Sequence, residues 1–424
     1  MRFPVKKRNI IVASMLLTAL VIRLFVLWKY GLDLTLNSDD MGYVRSGKRL
    51  LENGILTYHH ESEPTVHIMP GMPILLAAIF FLFGTGDIGL YAAKVVMILF
   101  GVASVYLIYV IGKDMNQEWA GIIAGFFTAL FVPLIETDNL TLTEPPFLFG
   151  FLLFIHFAIQ LARNHKMSTF YWLMFSYLFC LLFRATFALI PFALLGYFLL
   201  IKYPLRLAWK QLGVAVLLVI IVLGPWWVRN YIHYKEFIPL TGGSGDPLLL
   251  GTYQGYGYRY GEPYKEVVKK IDEQYPHISN YEKQKLEKQI AIERIKKWYH
   301  TNPKQFIESY TTKKTKIQWE QPFYWIEILG VPKTVMISLH QWIVSLAFSS
   351  MALTLLLLKR NRKELLFFTF IIAYFTILNN VFFAYPRYNL PLMPLLFLYI
   401  GLLVSAVPFV FFRKKNNLLL NIIV

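Results

Sequence analysis

Residues 37–73, NSDDMGYVRSGKRLLENGILTYHHESEPTVHIMPGMP, form the first polar stretch of any length after an apolar segment near the N-terminus. Asp39 and Asp40 are adjacent carboxylates in a chain that is poor in acids. Ser38 is of a type that caps helices, a helical apolar pattern follows it, and Asn53-Gly54 is a typical stop. The stretch therefore predicts a helix that starts at the acidic pair. The pair itself has two interpretations, as partners of the helix dipole or as functional groups.

The composition predicts an all-α polytopic membrane protein. Of the 424 residues, 56% are hydrophobic and 16% are charged, whereas about a quarter are charged in soluble globular proteins. Long apolar runs recur from end to end. The net charge of +17 comes largely from short basic clusters between these runs, which is the positive-inside pattern and predicts no nucleic-acid partner. The single cysteine, Cys180, excludes an internal disulfide framework and, within an apolar run, is expected to be an inert buried thiol.

Charge placement predicts about ten spans with both termini in the cytoplasm. The spans are 10–28, 90–111, 120–135, 146–161, 170–183, 187–201, 212–228, 335–358, 365–383 and 390–412. Arg23 is expected to snorkel at the outer end of the first span. Residues 74–83 are apolar but too few to cross, so we expect a helix in the outer interface. With that choice, every short basic loop lies inside.

The same pattern divides the chain into three parts. Residues 1–228 form an N-terminal transmembrane region with a catalytic first external loop at 30–89, residues 229–325 a small external domain, and residues 326–424 a C-terminal transmembrane region. The external domain begins with a Gly- and Tyr-rich loop and continues as charged helices over 264–316. Its Lys/Arg face is either simply solvated or attracted to lipid phosphates.

This topology brings acids and cations to one mouth on the external face. They are Asp39, Asp40, Asp138, Glu144, Arg184, Arg229 and Arg387, with His59, His60 and His67 nearby. Ionisable groups at membrane depth are costly and suggest function, although each one alone also fits a structural role. Together they suit a substrate with a lipid tail and an anionic head. The sequence lacks the motifs of nucleotide binding, zinc proteolysis and serine hydrolysis.

Five stretches in order resemble the membrane-embedded glycosyltransferases of the protein O-mannosyltransferase and lipid A aminoarabinose transferase type, which have the GT-C fold. They are SDDMGYVRSGKRLLENG (38–54), PGMPILLAAIFFLFG (70–84), TEPPFLF (143–149), PWWVRNYIHYKEFIPLTGG (225–243) and PRYNLPLMP (386–394). The resemblance implies a hexosyl- or pentosyltransferase of the plasma membrane that acts with inversion at an external site. It also implies a polyprenyl-phosphate-sugar donor and a lipid, glycan or protein acceptor. The family's first-loop acidic pair falls on Asp39 and Asp40, and its second-loop acid, often Asp, falls on Glu144.

Mechanistic roles follow from this chemistry. We expect Asp39 to be the general base, with Asp40 or Glu144 positioning substrate hydroxyls. Arginine suits the departing phosphate through bidentate contacts, with Arg387 the first candidate and Arg184 the second. Further candidate substrate contacts are Tyr43, His67, Arg229, Tyr388, Gly242 and Gly243, the glycines because backbone can approach a head group there. No cofactor is required, although the acids permit a divalent cation.

A rival class shares the basic mouth and the aromatic richness. A transporter or flippase of lipid-linked sugars would more typically show internal repeats and broken midplane helices. A non-catalytic envelope scaffold is the third interpretation. Release of polyprenyl phosphate from a labelled donor distinguishes an enzyme from both.

Overall fold

A computed structural model describes residues 5–413, with side chains placed for residues 7–406. Arg2, Lys414 and Lys415, which the topology prediction uses to assign the termini, lie outside these residues. All regular elements of the described part are helical, as predicted. The α-helices are α1 Val5–Tyr30, α2 Asp39–Asn53, α3 Gly71–Phe83, α4 Asp87–Asp114, α5 Glu118–Leu130, α6 Val132–Asp138, α7 Glu144–Asn164, α8 Met167–Phe183, α9 Ile190–Ile201, α10 Leu205–Tyr234, α11 Gly245–Gly251, α12 Tyr264–Gln274, α13 Asn280–Thr301, α14 Pro303–Glu308, α15 Lys314–Glu320, α16 Lys333–Leu357, α17 Arg362–Val381 and α18 Met393–Arg413. Short 3-10 turns lie at Ala185–Phe187, Lys359–Asn361 and Pro386–Leu392, and a π turn lies at Ser309–Lys313.

The helices confirm an integral multi-pass membrane protein. Judged by length and composition, seven segments within the described residues can cross a membrane. They contain four of the ten predicted spans, on α1, α4, α7 and α10, and overlap three more, with segments built on α16, α17 and α18. The other three predicted spans are the bent pair α5–α6 and two shorter apolar stretches, Met167–Phe183 and Ala185–Ile201.

The predicted span over 120–135 is broken in the structure. Helix α5 ends at Leu130, α6 begins at Val132, and the two segments are bent by 62°. Phe131 between them has extended backbone, and Pro133 in the first turn of α6 has no N–H to donate back to α5. The polar residues after the bend, Glu136, Thr137 and Asp138, are buried.

The expectation that Arg23 snorkels is wrong. Its side chain is fully buried, its Nε lies 2.7 Å from Asp138 Oδ2, and its Nη1 donates to the Ala129 carbonyl at 2.9 Å. Asp138 is buried as well and pairs with Arg23. A buried charge needs such a partner, because the cost of leaving it unpaired is several kcal/mol.

The first loop carries the predicted helix, α2, which starts at Asp39. Gly54 ends it in the left-handed region with φ +69°, and the Gly54 N–H donates to the Leu50 carbonyl. The predicted Ser38 side-chain cap is absent. The Asp40 carboxylate accepts the Ser38 and Leu36 N–H groups, at 3.1 and 2.8 Å. Helix α3 contains the predicted 74–83 segment and, at 13 residues, is too short to cross a bilayer.

Helices α11 to α15 occupy the polar segment of the chain. Helix α11 lies where the sequence predicted only loop, because Leu248 and Leu249 are buried beside α13. The charged helices are where they were expected, and α15 packs against α16 and α17. The division at 228 and 325 stays a prediction, since α10 runs on to Tyr234 without a break.

Candidate active site

Arg387 joins two acids that are far from it in sequence. It lies on the 3-10 turn that precedes α18. Its Nη1 is 2.6 Å from Asp39 Oδ2, its Nη2 donates to Glu144 Oε2 at 3.1 Å, and its Nε donates to Glu144 Oε1. One guanidinium therefore connects the start of α2 with the start of α7.

The positions of both acids follow from local structure. Asp39 is the first residue of α2 and Glu144 the first residue of α7. A helix N-terminus favours negative charge because its unpaired N–H groups and dipole point there. Pro145 and Pro146 follow Glu144 in the first turn of α7, where missing N–H groups cost nothing.

A second arginine completes the surroundings of Glu144. Arg184 follows the last residue of α8, and its Nη2 donates to Glu144 Oε1 while its Nε donates to Thr143 Oγ1 at 3.1 Å. The guanidinium also lies over the Phe147 ring, 5.2 Å from its centroid. Both Glu144 oxygens accept hydrogen bonds from arginines, and its side chain is only 2% exposed. Glu144 is thus a buried anchor for two cations.

Asp39 is held differently. Its side chain is 46% exposed, against 2% for Glu144. Oδ2 is occupied by Arg387, and Oδ1 accepts a hydrogen bond from the Tyr58 hydroxyl at 3.1 Å. Burial raises the pKa of the Tyr58 phenol, so this hydroxyl remains a donor at neutral pH. Of the two acids at Arg387, Asp39 is the one that a substrate can reach.

Sequence reasoning missed Tyr58, which lies in the irregular chain after α2 and has no periodic or motif signal. Its ring is 5.5 Å from the Tyr43 ring and stacks at 5.5 Å on His67. Burial raises the pKa of Tyr43 and lowers that of His67 to about 4. Tyr43 and His67 therefore contact Tyr58 in uncharged form, and Tyr58 in turn donates to Asp39.

Asp40 has hydrogen-bond partners other than Arg387. Besides the two backbone donors at the start of α2, its Oδ2 accepts the Thr35 hydroxyl at 2.6 Å, and the residue is 2% exposed. Asp40 thus shapes the start of the helix that presents Asp39.

Tyr388 lies on the same turn as Arg387, with its ring 5.7 Å from that of Tyr385.

The remaining predicted residues join the first loop to the segment after α10. Arg229 donates to the carbonyls of Thr65 and Leu56, at 2.7 and 3.3 Å. The Gly242 N–H donates to the Val66 carbonyl at 2.7 Å, and a Cβ on Gly243 would collide with His67. Protein groups therefore lie against Gly242 and Gly243, where the prediction expected a substrate head group.

Two further residues lie near the site, Phe323 and Glu136. Phe323 is buried, and the Arg387 guanidinium lies 5.6 Å from its ring centroid. The loop that carries Phe323 is fixed by Glu136, whose Oε1 accepts the N–H groups of Trp325 and Ile326 at 3.0 and 2.8 Å. Within residues 7–406, no group of three or more His, Cys, Asp or Glu side chains could hold a metal ion.

Comparison with known proteins supports the same class. A family model described as dolichyl-phosphate-mannose-protein mannosyltransferase matches residues 63–228, less than half of the chain. No curated protein sequence matches.

The solved structures share the fold. The archaeal oligosaccharyltransferase AglB from Archaeoglobus fulgidus, in complex with an inhibitory peptide and a dolichol-phosphate, superposes with a TM-score of 0.55 at 13% identity, over 96% of this chain and 51% of that one. The same enzyme in complex with Zn and sulfate gives 0.55 at 12% identity, over 95% and 50%. ArnT from Cupriavidus metallidurans bound to undecaprenyl phosphate gives 0.44 at 12%, over 94% and 79%, and that score is too low to add to the argument.

The chain spans about half the length of the AglB structures that it matches. At these identities the likeness concerns the fold, which is the GT-C type. The resemblance to membrane glycosyltransferases of this type, predicted from five short stretches, is thereby confirmed.

Proposed function

We propose that the protein transfers a sugar from a polyprenyl-phosphate donor to an acceptor hydroxyl, with inversion, at the external face of the cell membrane. The observation that carries this proposal is the half-exposed Asp39 paired with Arg387, one of two arginines that a buried Glu144 holds in place. A base at one edge and a cationic phosphate site at the other are what the reaction needs.

The reaction assigns one bond change to each edge. The acceptor oxygen attacks the anomeric carbon as Asp39 takes its proton, and the bond from that carbon to the phosphate oxygen breaks. The transition state has oxocarbenium character, as in glycoside cleavage. The polyprenyl phosphate leaves with increased negative charge, which Arg387 and Arg184 stabilise.

Glu144 and Tyr58 act through their neighbours. Glu144 fixes the two guanidinium groups, because its oxygens are occupied by them and it is closed to solvent. The Tyr58 hydroxyl orients the Asp39 carboxylate through Oδ1. Asp40 supports the start of α2, so neither Asp40 nor Glu144 is assigned the direct contact with substrate hydroxyls that the sequence suggested.

Several further expectations from the sequence belong to this proposal. The termini are cytoplasmic, residues 30–89 form the catalytic external loop, and residues 229–325 form a domain on the same face. The sugar is a hexose or pentose, and the acceptor is a lipid, glycan or protein. A divalent cation stays a prediction, and at Asp39 Oδ2 it would have to replace the Arg387 guanidinium.

Turnover of Asp39→Asn tests the proposal. Purified protein in lipid receives a radiolabelled polyprenyl-phosphate sugar and the extracted native acceptor pool, and released polyprenyl phosphate is measured. Asparagine keeps the shape but cannot take the proton, so release should fall about a hundredfold or more with unchanged protein yield. Asp40→Asn should fall less.

Asp87→Asn is the matched control. Asp87 is an exposed acid in the first turn of α4, so its loss reports only the helix-dipole effect, about 0.3–1 kcal/mol of stability. Asp39→Asn turnover close to that of Asp87→Asn would return Asp39 to a dipole role. No release from the wild-type protein would favour a carrier of lipid-linked sugars.

A further inference from the structure

The position of Arg387 depends on a short irregular connection that precedes it. Helix α17 ends at Val381, and the 3-10 turn that carries Arg387 begins at Pro386. Residues 382–385 between them belong to no helix, so their main-chain groups need partners elsewhere. Such partners come from the polar segment 229–325, none of whose residues takes part in the proposed chemistry.

Gln254 binds both main-chain polar groups of one residue in this connection. Its Nε2 donates to the Ala384 carbonyl at 2.7 Å, and the Ala384 N–H donates to its Oε1 at 2.8 Å. Ala384 is buried and lies three residues before Arg387. Because one planar amide makes both hydrogen bonds, it fixes the orientation of Ala384 as well as its position.

Two further residues of the polar segment contact the same stretch of chain. The Lys314 side chain is fully buried, and its Nζ donates to the carbonyls of Asn380 and Phe382 at 2.9 and 3.4 Å. Lysine side chains can serve the last carbonyls of a helix in this way, and here the helix is α17. A Cβ on Gly251 would collide with the Phe382 carbonyl oxygen, so the packing leaves no room for a side chain there. The polar segment therefore holds the chain from Asn380 to Ala384.

The loop that presents Gln254 is itself packed against an arginine of α13. The Arg294 guanidinium lies 4.2 Å from the ring centroid of Tyr253 and 4.6 Å from that of Tyr258. Its Nε donates to Thr252 Oγ1 at 2.9 Å. These contacts hold the loop on both sides of Gln254, so the amide is presented from a fixed backbone.

The polar segment also contacts the chain after Arg387. Asn389 is buried, and its Nδ2 donates to the Gln318 carbonyl of α15 at 2.7 Å. Arg387 therefore lies between two residues, Ala384 and Asn389, that the polar segment holds by hydrogen bonds. Gln254 makes its contact with a side chain, so a substitution removes that contact outright.

We propose that Gln254 is a positioning residue for Arg387, because it fixes the main chain at Ala384 and thereby sets where the guanidinium meets the donor phosphate. The assignment rests on the proposed function, in which Arg387 binds that phosphate. The Arg387 side chain contacts Asp39 and Glu144 at the same time. A shift of its main chain by about 1 Å would therefore misplace the guanidinium for binding.

A double-mutant comparison separates positioning from general stability. Gln254→Met keeps the length of the side chain and removes both hydrogen bonds to Ala384. For this variant in the wild-type and Arg387→Ala backgrounds, affinity for undecaprenyl phosphate is measured by native mass spectrometry in lipid nanodiscs, with thermal unfolding in parallel. Tyr256→Phe is the matched control, because it removes a hydrogen bond of the same loop, to Glu308 Oε1 at 2.8 Å, that does not involve the connection.

We expect Gln254→Met to weaken binding of undecaprenyl phosphate about three- to tenfold in the wild-type background and to have no further effect in Arg387→Ala, as for two residues that act through one contact. Its thermal midpoint should fall in both backgrounds. Tyr256→Phe should lower the midpoint and leave the affinity unchanged. Gln254→Asn has the amide on a side chain one carbon shorter, so it should show the pattern of Gln254→Met with an equal or smaller loss.

Three results would overturn the assignment. They are unchanged affinity in the Gln254 variants, equal weakening in the wild-type and Arg387→Ala backgrounds, and a loss in Tyr256→Phe as large as theirs. If Gln254→Met does not fold, Gln254→Asn decides among the same results. Unchanged affinity in Gln254→Met beside weaker binding in Arg387→Ala refutes the positioning role alone. No release of polyprenyl phosphate from the wild-type protein refutes the transferase and leaves the binding result standing.

Discussion

Replacing Arg387 with alanine removes the side chain on which the proposed phosphate site depends. Arg387 makes one hydrogen bond to Asp39 and two to Glu144, and its side chain is 9% exposed. Removing one partner of a buried ion pair costs about 3–5 kcal/mol. Arg184 still holds Glu144 Oε1, so we expect a loss near the low end, about 3 kcal/mol of unfolding free energy.

The effect on the donor is separate and is the decisive one. A hydrogen bond to a charged group contributes about 1.5–3 kcal/mol, so undecaprenyl phosphate should bind about 10- to 150-fold more weakly to Arg387→Ala. Arg387→Lys restores the charge without the planar fork and should recover part of the affinity. Binding is measured by native mass spectrometry of the protein in lipid nanodiscs, and thermal unfolding is followed in parallel.

Arg8→Ala is the control for removal of an arginine. Arg8 pairs with Glu118 at 3.2 Å, and both side chains are 28% exposed, so its loss should leave donor affinity unchanged. A folded Arg387→Ala protein that binds undecaprenyl phosphate as tightly as Arg8→Ala refutes the phosphate site. Weaker binding together with an unfolded protein would instead be settled by Arg387→Lys, which keeps the buried charge.

Three further predictions test the topology, the buried ion pair and the first loop. In a cysteine-free background, Gly86→Cys should react with an impermeant thiol reagent on intact cells and Lys166→Cys only after permeabilisation; the opposite pattern would reverse the orientation. Asp138→Asn should lose about 3–5 kcal/mol because Arg23 is left unpaired, whereas the Arg23→Met/Asp138→Leu pair should recover most of it; additive losses in the double variant would contradict this. The thermal midpoint should be steady above pH 6.5 and fall between pH 6.5 and about 4, because the unfolded state binds a proton that folded His67 excludes; an unchanged slope in His67→Asn would assign the effect to another group.

The helices were predictable because a membrane leaves the backbone little choice. Apolar segments must satisfy their own hydrogen bonds, so length and hydropathy alone located most spans. The break at Phe131 was missed because residues 120–135 were treated as one apolar run, although Pro133 within the run favours a helix break. Arg23 was placed at the surface because its partner, Asp138, lies 115 residues away.

The site was predictable to the extent that its chemistry is unusual for a membrane. Asp39, Glu144 and Arg387 were selected as ionisable groups at span ends, and the structure joins them across as many as 348 residues. Tyr58 and Phe323 were missed because aromatic residues are ordinary in such a chain. A glycine indicates that another group approaches closely but does not show which group it is. At Gly243 the neighbour is His67.

The different exposure of the two acids suggests an order of events. In the free protein, Asp39 Oδ2 is occupied by Arg387, so the lone pair that a base needs is engaged. A donor phosphate competes for the same guanidinium, and Glu144 keeps that guanidinium in place because it holds Nε and Nη2. Arg387 can therefore exchange its Nη1 contact with Asp39 for a phosphate oxygen without leaving the site. Under the proposed mechanism, this exchange would free Asp39 to accept the acceptor proton only after the donor has bound.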